Sequence, residues 1–324
     1  MKARNICLAL AITIATAMTP AHAQENFPTR PVTLVVGAAP GGPTDIVARL
    51  LAERMARNMK ATFVVENRGG GGGVIAAKTV AQAAPDGHTL LMGSVSTHGI
   101  NPTLYTKLGY DAIKDFAPIS QVVSYPVVMV VNPSKLPVKN VAEYIALAKK
   151  NPGKFNRASA GNGTSMHLSG ELFDRMAGVK TSHVPFKGSA PAVMAMLSGD
   201  ADVDFESIPV AMPHIESGKL RALGVSSAKP LSVLKDVPAI GDTVPGYEIS
   251  GWLGLLAPAG TPSAIVDRFA REAAKALADP DLRKKLLDQA VEPVSNTPAE
   301  FAVFIRKEIE RLGEVVKASG ATAD

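Results

Sequence analysis

The chain has 324 residues, of which 46% are hydrophobic, and carries 34 basic side chains against 29 acidic ones with a single cysteine. That length accommodates two domains. A net charge of +5 with both signs interspersed is too mild for a nucleic-acid partner, and aromatic residues at 5% are too few for sugar-stacking platforms.

The first 23 residues have the layout of a secretory signal. Lys2 and Arg4 form a basic start, Ile6–Met18 is apolar, and Ala21-His22-Ala23 is a small-residue cleavage site. The apolar run is too short to span a bilayer. Cleavage after Ala23 would remove Cys7 and reduce the 34 basic residues to 32. A chain without cysteine has no disulfide framework, thiolate nucleophile or thiolate metal site. No later stretch is long and apolar enough for a membrane helix. The expectation is a soluble periplasmic monomer.

Val32–Val36 is an apolar run that predicts a buried strand. Gly37-Ala38-Ala39-Pro40-Gly41-Gly42-Pro43 follows without a bulky side chain, and Thr44 or Asp45 can cap a helix running through Ile46, Leu50 and Met55. Small residues let a ligand approach the backbone, and the helix start supplies unpaired N–H groups and a positive dipole end. The element suits an anion or is a plain tight turn. The spacing nearly spells a phosphate-binding P-loop, but Pro43 replaces the lysine and removes a backbone donor. A carboxylate therefore fits better than a nucleotide.

Phe63–Glu66 predicts a second strand, and Gly69–Gly73 either a flexible glycine loop or a second backbone approach to a ligand, before a helix from Val74 to about Ala83. Leu90–Gly93 predicts a third strand. Ser94, Ser96 and Thr97 then stand at a strand's C-terminal end, where open α/β sheets bind ligands, unless they serve only the loop backbone. Phe116–Val131 is long and extended with Pro126 inside it, which marks an edge or bend and a crossing to a second domain. Val141–Lys150 predicts a helix. Residues 155–176 then repeat the opening pattern of strand, small-residue loop, hydroxyl cap and amphipathic helix. Two such loops facing across a cleft would aim two sets of N–H donors at one ligand. Short strands at His183–Phe186, Val203–Ser207 and Leu220–Val225 alternate with helices, Tyr247–Ala257 is the return crossover, and helices at Asp281–Gln289 and Pro298–Ser319 close the chain. Alternating strand and helix define an α/β protein.

Several stretches together resemble the Bug, or TctC-like, receptors of tripartite tricarboxylate transporters: PGGPTDIVAR (40–49), VENRGGGGG (65–73), PDGHTLLMG (85–93), INPTLY (100–105), SAGNGTSMHLSGELF (159–173), HVPFKGSAPA (183–192), PHIESGKLRALGVSS (213–227) and GWLGLLAPAGTP (251–262). The resemblance implies a two-domain periplasmic binding protein of the type II, Venus flytrap kind. Its domains would be residues 24–125 with 252–324, and 126–251. It implies that backbone N–H groups hold a ligand carboxylate in the first loop (Ala38, Ala39, Pro40, Gly41, Gly42, Thr44 and Asp45) and in the second (Ser159, Ala160, Gly161, Asn162, Gly163, Thr164 and Ser165). It also implies delivery to membrane transporter subunits, no cofactor and no catalysis. Two departures stand out: Ala38 where many members have an aromatic residue, and Glu206 where many have aspartate.

His167 at the second helix start is a candidate ligand residue or a backbone contact. Glu206, sharing a strand face with Asp204, would repel a second ligand carboxylate if it faced the cleft; otherwise it is a solvated or paired residue. A metal receptor would need more than the alternating Asp202, Asp204 and Glu206, which read as an exposed face. A secreted hydrolase would need a serine triad, and no G-x-S-x-G is present; His88, His98 and His214 read as surface or loop residues. A sensor docking on a regulator would share all these features.

Overall fold

The computed structural model describes residues 27–319 and 322, apart from 232 and 289. The signal expected over residues 1–23 lies outside the described residues.

Strands β1 (Val32–Val36), β2 (Phe63–Asn67) and β3 (Thr89–Ser94) are parallel neighbours. Their Val- and Leu-rich runs suit a sheet covered on both faces. Helix α1 (Pro43–Met59) connects β1 to β2 and buries Val47, Ala48, Leu51, Ala52 and Met55, which recur at helical spacing. Pro43 opens it, where the missing N–H is no loss, and Gly42 is its N-cap; neither Thr44 nor Asp45 caps it. α2 (Val74–Ala81) precedes β3. A single helical turn at Ser96–Ile100 and the short α3 (Asn101–Leu104) lead on to β4 (Phe116–Val131).

The second lobe holds α4 (Val141–Lys150), β5 (Asn156–Ser159), α5 (Ser165–Ala177), β6 (Ser182–Pro185), α6 (Ser189–Ser198), β7 (Val203–Ser207), α7 (Ile208–Glu216) and β8 (Arg221–Val225). β9 (Ser250–Pro258) returns to the first lobe, followed by α8 (Ser263–Leu277), α9 (Pro280–Leu287), the short β10 (Glu292–Pro293) and α10 (Pro298–Ser319).

β4 belongs to both lobes. Its first part, Phe116 to Pro126, pairs antiparallel with β9, while Val127–Val131 pairs with β7 and β8. Pro126, which has no N–H to give a ladder, stands where the partner changes. Ser226, fully buried, ties the two crossing passages together. Its hydroxyl accepts from the Val127 N–H at 2.8 Å and donates to the Ile249 carbonyl at 2.6 Å.

One core packs α1, α8 and α9 on the first sheet through Leu34, Leu51, Met55, Phe269 and Leu286. A second runs from Leu91 through Trp252 and Phe301 to Phe173, Phe205 and Tyr247. A third lies under α6 and α7, against Val128 and Val130 of β4. His88 and His98, expected near the surface, are 7% and 0% exposed. His98 meets the Phe116 ring edge-on at 4.6 Å, and burial pushes its pKa down to about 3, so the imidazole is neutral.

Candidate functional site

Between the lobes lies a cavity of about 760 Å³, open at one side, formed by loops at the C-terminal ends of β1, β2, β3, β5 and β6. Strand ends at a sheet's carboxyl edge leave such a crevice because each crossover departs to one face or the other.

From the first loop, Ala38, Ala39, Gly42 and Thr44 line it; Pro40, Gly41 and Asp45 do not. Asp45 is buried behind the loop and holds its shape. Its carboxylate accepts from the Gly41 N–H at 2.9 Å, from Arg49 Nε at 3.0 Å and from Asn67 Nδ2 at 2.9 Å. Burial by itself would raise this carboxyl's pKa, but the bonds from Arg49, Gly41 and Asn67 hold it below the ordinary value. Gly41 (φ +78°) takes the left-handed conformation that this turn needs.

The glycine run is part of the cavity wall, not a free loop: Gly69–Gly72 line it. A side chain on Gly37 would strike Gly73 Cα at 2.8 Å, so the two glycine loops pack backbone to backbone, and one on Gly73 would strike the Thr97 methyl of the β3 loop at 2.7 Å. Ser94, Ser96 and Thr97 also face the cavity. Ser94 and Thr97 spend hydroxyl capacity on each other's backbone, with Thr97 Oγ1 accepting from the Ser94 N–H at 2.9 Å and donating to the Ser94 carbonyl at 3.1 Å. The Ser96 hydroxyl has no protein partner among the described residues.

The second loop contributes Ala160, Gly161, Asn162, Thr164 and Ser165. Thr164 caps α5, its Oγ1 accepting from the His167 N–H at 3.2 Å and donating to the Gly161 carbonyl at 2.7 Å. Ser159, Gly163 and His167 lie behind the surface. Ser159 is fully buried and His167 is 3% exposed. His167 Nδ1 accepts from the Gly163 N–H at 3.3 Å, and Ser159 Oγ bonds both the Gly161 N–H at 3.1 Å and His183 Nε2 at 2.7 Å. They are scaffolding for the loop.

Behind them Arg157, 1% exposed, pairs with Glu171, lies 3.8 Å from Asp174, and donates to the His167 carbonyl at 3.1 Å. Burial alone would raise Glu171's pKa, but His167 and Arg157 hold it down at about 2; burial drives His183 down to about 3. His167, Glu171 and His183 bring ligating atoms within 4.8 Å of one another. Yet the two imidazoles stack at 4.0 Å and 14°. Near-parallel rings aim their in-plane lone pairs along parallel planes, which cannot converge on one ion. The Ser159–His183 pair likewise has its hydroxyl buried away from the cavity.

Glu206 does not line the cavity and is 0% exposed, as is Asp204. The solvated face expected for this strand is instead an interior face under α6, because helices cover both sides of β7. Glu206 Oε1 accepts from Ser189 Oγ at 2.8 Å and the Ser207 N–H at 2.6 Å.

Several lining residues carry no local signal as a ligand site: Met92, Tyr105, Tyr125, Met166 and the stretch Pro185–Ser189. Tyr125 adjoins Pro126 at the crossing, and burial raises its pKa to about 12. Gly188 caps α6, so three helix N-termini (α1, α5 and α6) open on one cavity. Lys187 is the one charged lining residue among those described, and no carboxylate lines the cavity with it. Helix starts direct N–H groups and positive dipole ends at an anion.

Residues 47–321 match the model of the tripartite tricarboxylate transporter family receptors. The chain is similar to the protein BugT of Bordetella pertussis, with 35% identity over 92% of this chain and 91% of the relative. It is similar in structure to R. palustris Rpa4515 with adipate, with a TM-score of 0.88, 36% identity, and coverage of 92% of this chain and 99% of that one. It is also similar to MatC (Rpa3494) from Rhodopseudomonas palustris with bound malate, with a TM-score of 0.83, 36% identity, and coverage of 90% and 100%. The two-lobed α/β fold with its cleft is that of a type II periplasmic binding protein, and the chain belongs to the tripartite tricarboxylate transporter receptor family.

Proposed function

We propose that this protein captures a small organic carboxylate between its lobes and presents it to the membrane subunits of a tripartite transporter. The observation that carries this is the convergence of three helix N-termini and Lys187 on a cavity with no acidic lining residue among those described. The adipate and malate in the two solved neighbours support the ligand class. The first-loop residues Ala38, Ala39, Gly42 and Thr44 and the second-loop residues Ala160, Gly161, Asn162, Thr164 and Ser165 supply the donors, aided by Ser96 and Lys187. Residues 24–125 with 252–324 form one moving body and 126–251 the other, hinged at the β4 and β9 crossings. The protein acts after export to the periplasm and cleavage behind Ala23, as a monomer and without catalysis.

The test is a thermal-shift screen with acetate, malate, adipate, citrate and benzoate. A ligand at a hundred times its Kd adds about 2.7 kcal/mol to stability. A panel in which no acid raises the melting temperature, while the protein unfolds cooperatively, would sink the reading.

A further inference from the structure

The Asp204–Glu206 pair is unused by carboxylate capture as described so far, yet it lies one layer behind the cavity wall. β7 sets both side chains opposite Val130 and Val128 of β4, on the face that α6 and α7 cover. The second oxygen of Glu206 has no hydrogen-bond partner among the described residues. For Asp204 only the neighbouring Phe205 N–H offers support, outside good hydrogen-bond geometry. Among the described residues, the helices and strands packed around the pair bring no free cation, and Lys187 lies in the loop before α6 on the cavity wall. α6 has no ionisable side chain, and α7 has only His214 and Glu216 in its last turn. β5 brings Arg157, already paired with Glu171 and close to Asp174, and β4 brings the neutral Tyr125.

Two carboxylates in a dry site cannot both ionise cheaply. Burial, and then the Glu206 charge, pushes Asp204 well up, and burial raises Glu206 as well. The pair therefore takes on protons at a higher pH than isolated carboxylates would. Ser189 connects it to the cleft, being both a lining residue and the donor to Glu206 Oε1. While Glu206 is ionised, the single Ser189 proton is committed to that bond, and the hydroxyl has only lone pairs left for a ligand. With a proton on Oε1, Glu206 donates to Ser189 Oγ, and the Ser189 proton is released for a ligand carboxylate.

We propose that the receptor takes up a proton together with its anion, the proton residing on the Asp204–Glu206 pair and the Ser189 hydroxyl reversing its hydrogen bond as the ligand enters. The overall step is addition of one solvent proton and one carboxylate to the free protein, with no covalent bond formed in the ligand. The inference rests on the carboxylate-capture reading.

The same five acids are screened first, and the best binder is titrated calorimetrically in two buffers of different ionisation enthalpy. Wild type is expected to take up as much as one proton per site, with affinity falling by up to about tenfold per pH unit as the pH rises through the pair's titration. Glu206→Gln, which keeps the size of the side chain but has no titratable group there, should bind with no proton uptake and flat pH dependence. Ser189→Ala, which keeps both carboxyls in place, covers the case in which the first variant does not fold and should take up distinctly less proton than wild type. An acid that binds wild type without proton uptake, or uptake unchanged in the folded variant, overturns the inference and leaves carboxylate capture standing. A panel with no binder removes both.

Discussion

Replacing Thr164 with aspartate separates the two jobs this residue holds. As the N-cap of α5 it accepts from the His167 N–H, and an aspartate does this as well or better beside a positive helix end. The variant loses only the hydroxyl's bond to the Gly161 carbonyl, which still receives the backbone N–H of residue 164 at 3.3 Å. Stability should change by no more than about 1 kcal/mol. Binding should respond quite differently. Thr164 lines a cavity that contains no other acidic side chain among the described residues. A new carboxylate ~6 Å from the ligand's, at an effective dielectric of ~20, adds about 3 kcal/mol of repulsion, or roughly a hundredfold in Kd. Thr164→Asn, which caps without a charge, is the control. Urea unfolding and calorimetric titration with the best acid of the panel measure the two effects. Parental affinity in Thr164→Asp, with the fold intact, would refute the placement of an anion at this helix start.

Four further outcomes are expected. Ser226→Ala leaves the Val127 N–H and the Ile249 carbonyl short of a buried partner and should cost about 1–3 kcal/mol; a melting temperature equal to the parent's would show that Ser226 does not secure the crossing. Arg157→Met strands Glu171 and Asp174 without their cation and should destabilise by about 3–5 kcal/mol in denaturant titration. Glu171 is held at about 2 in the fold against an ordinary value of 4.5, so its stabilisation is complete above the unfolded value and is lost as pH falls through about 2. His183, depressed to about 3, acts in the same direction as pH falls from 6.5, while Asp174, raised to about 6, opposes them. Glu171→Gln should therefore flatten the acid limb of melting temperature against pH, and an unchanged limb counts against the ion pair. Solution scattering with saturating ligand should give a smaller radius of gyration than without, as the lobes turn about the two crossings.

Much of this architecture is written locally. A run of Val and Leu, a loop of small residues and a helix start read the same wherever they occur, because strand burial and helix initiation depend on near neighbours. Thus β1, α4, β7 and α10 have the bounds their residues indicate, and the two loop-and-helix elements were visible as a pair. Thr164 caps α5 as its position suggests, whereas Gly42 displaces Thr44 and Asp45 at α1 because Pro43 already supplies a helical first residue.

Which groups face the ligand is not written locally. Alternation places Asp204 and Glu206 on one face of β7 but says nothing of what covers that face; α6 and α7 turn it into interior. Asp45 looks like a site residue by sequence and is turned inward by Asn67, contributed by a different strand. Gly69–Gly72 and Lys187 become cavity wall only because β2 and β6 end at the same edge as β1 and β5. The sequence by itself determined the elements, the export signal to be expected and the family. The tertiary structure decided burial, charge state and which loop ends share one cavity, because those properties belong to contacts between residues far apart in the chain.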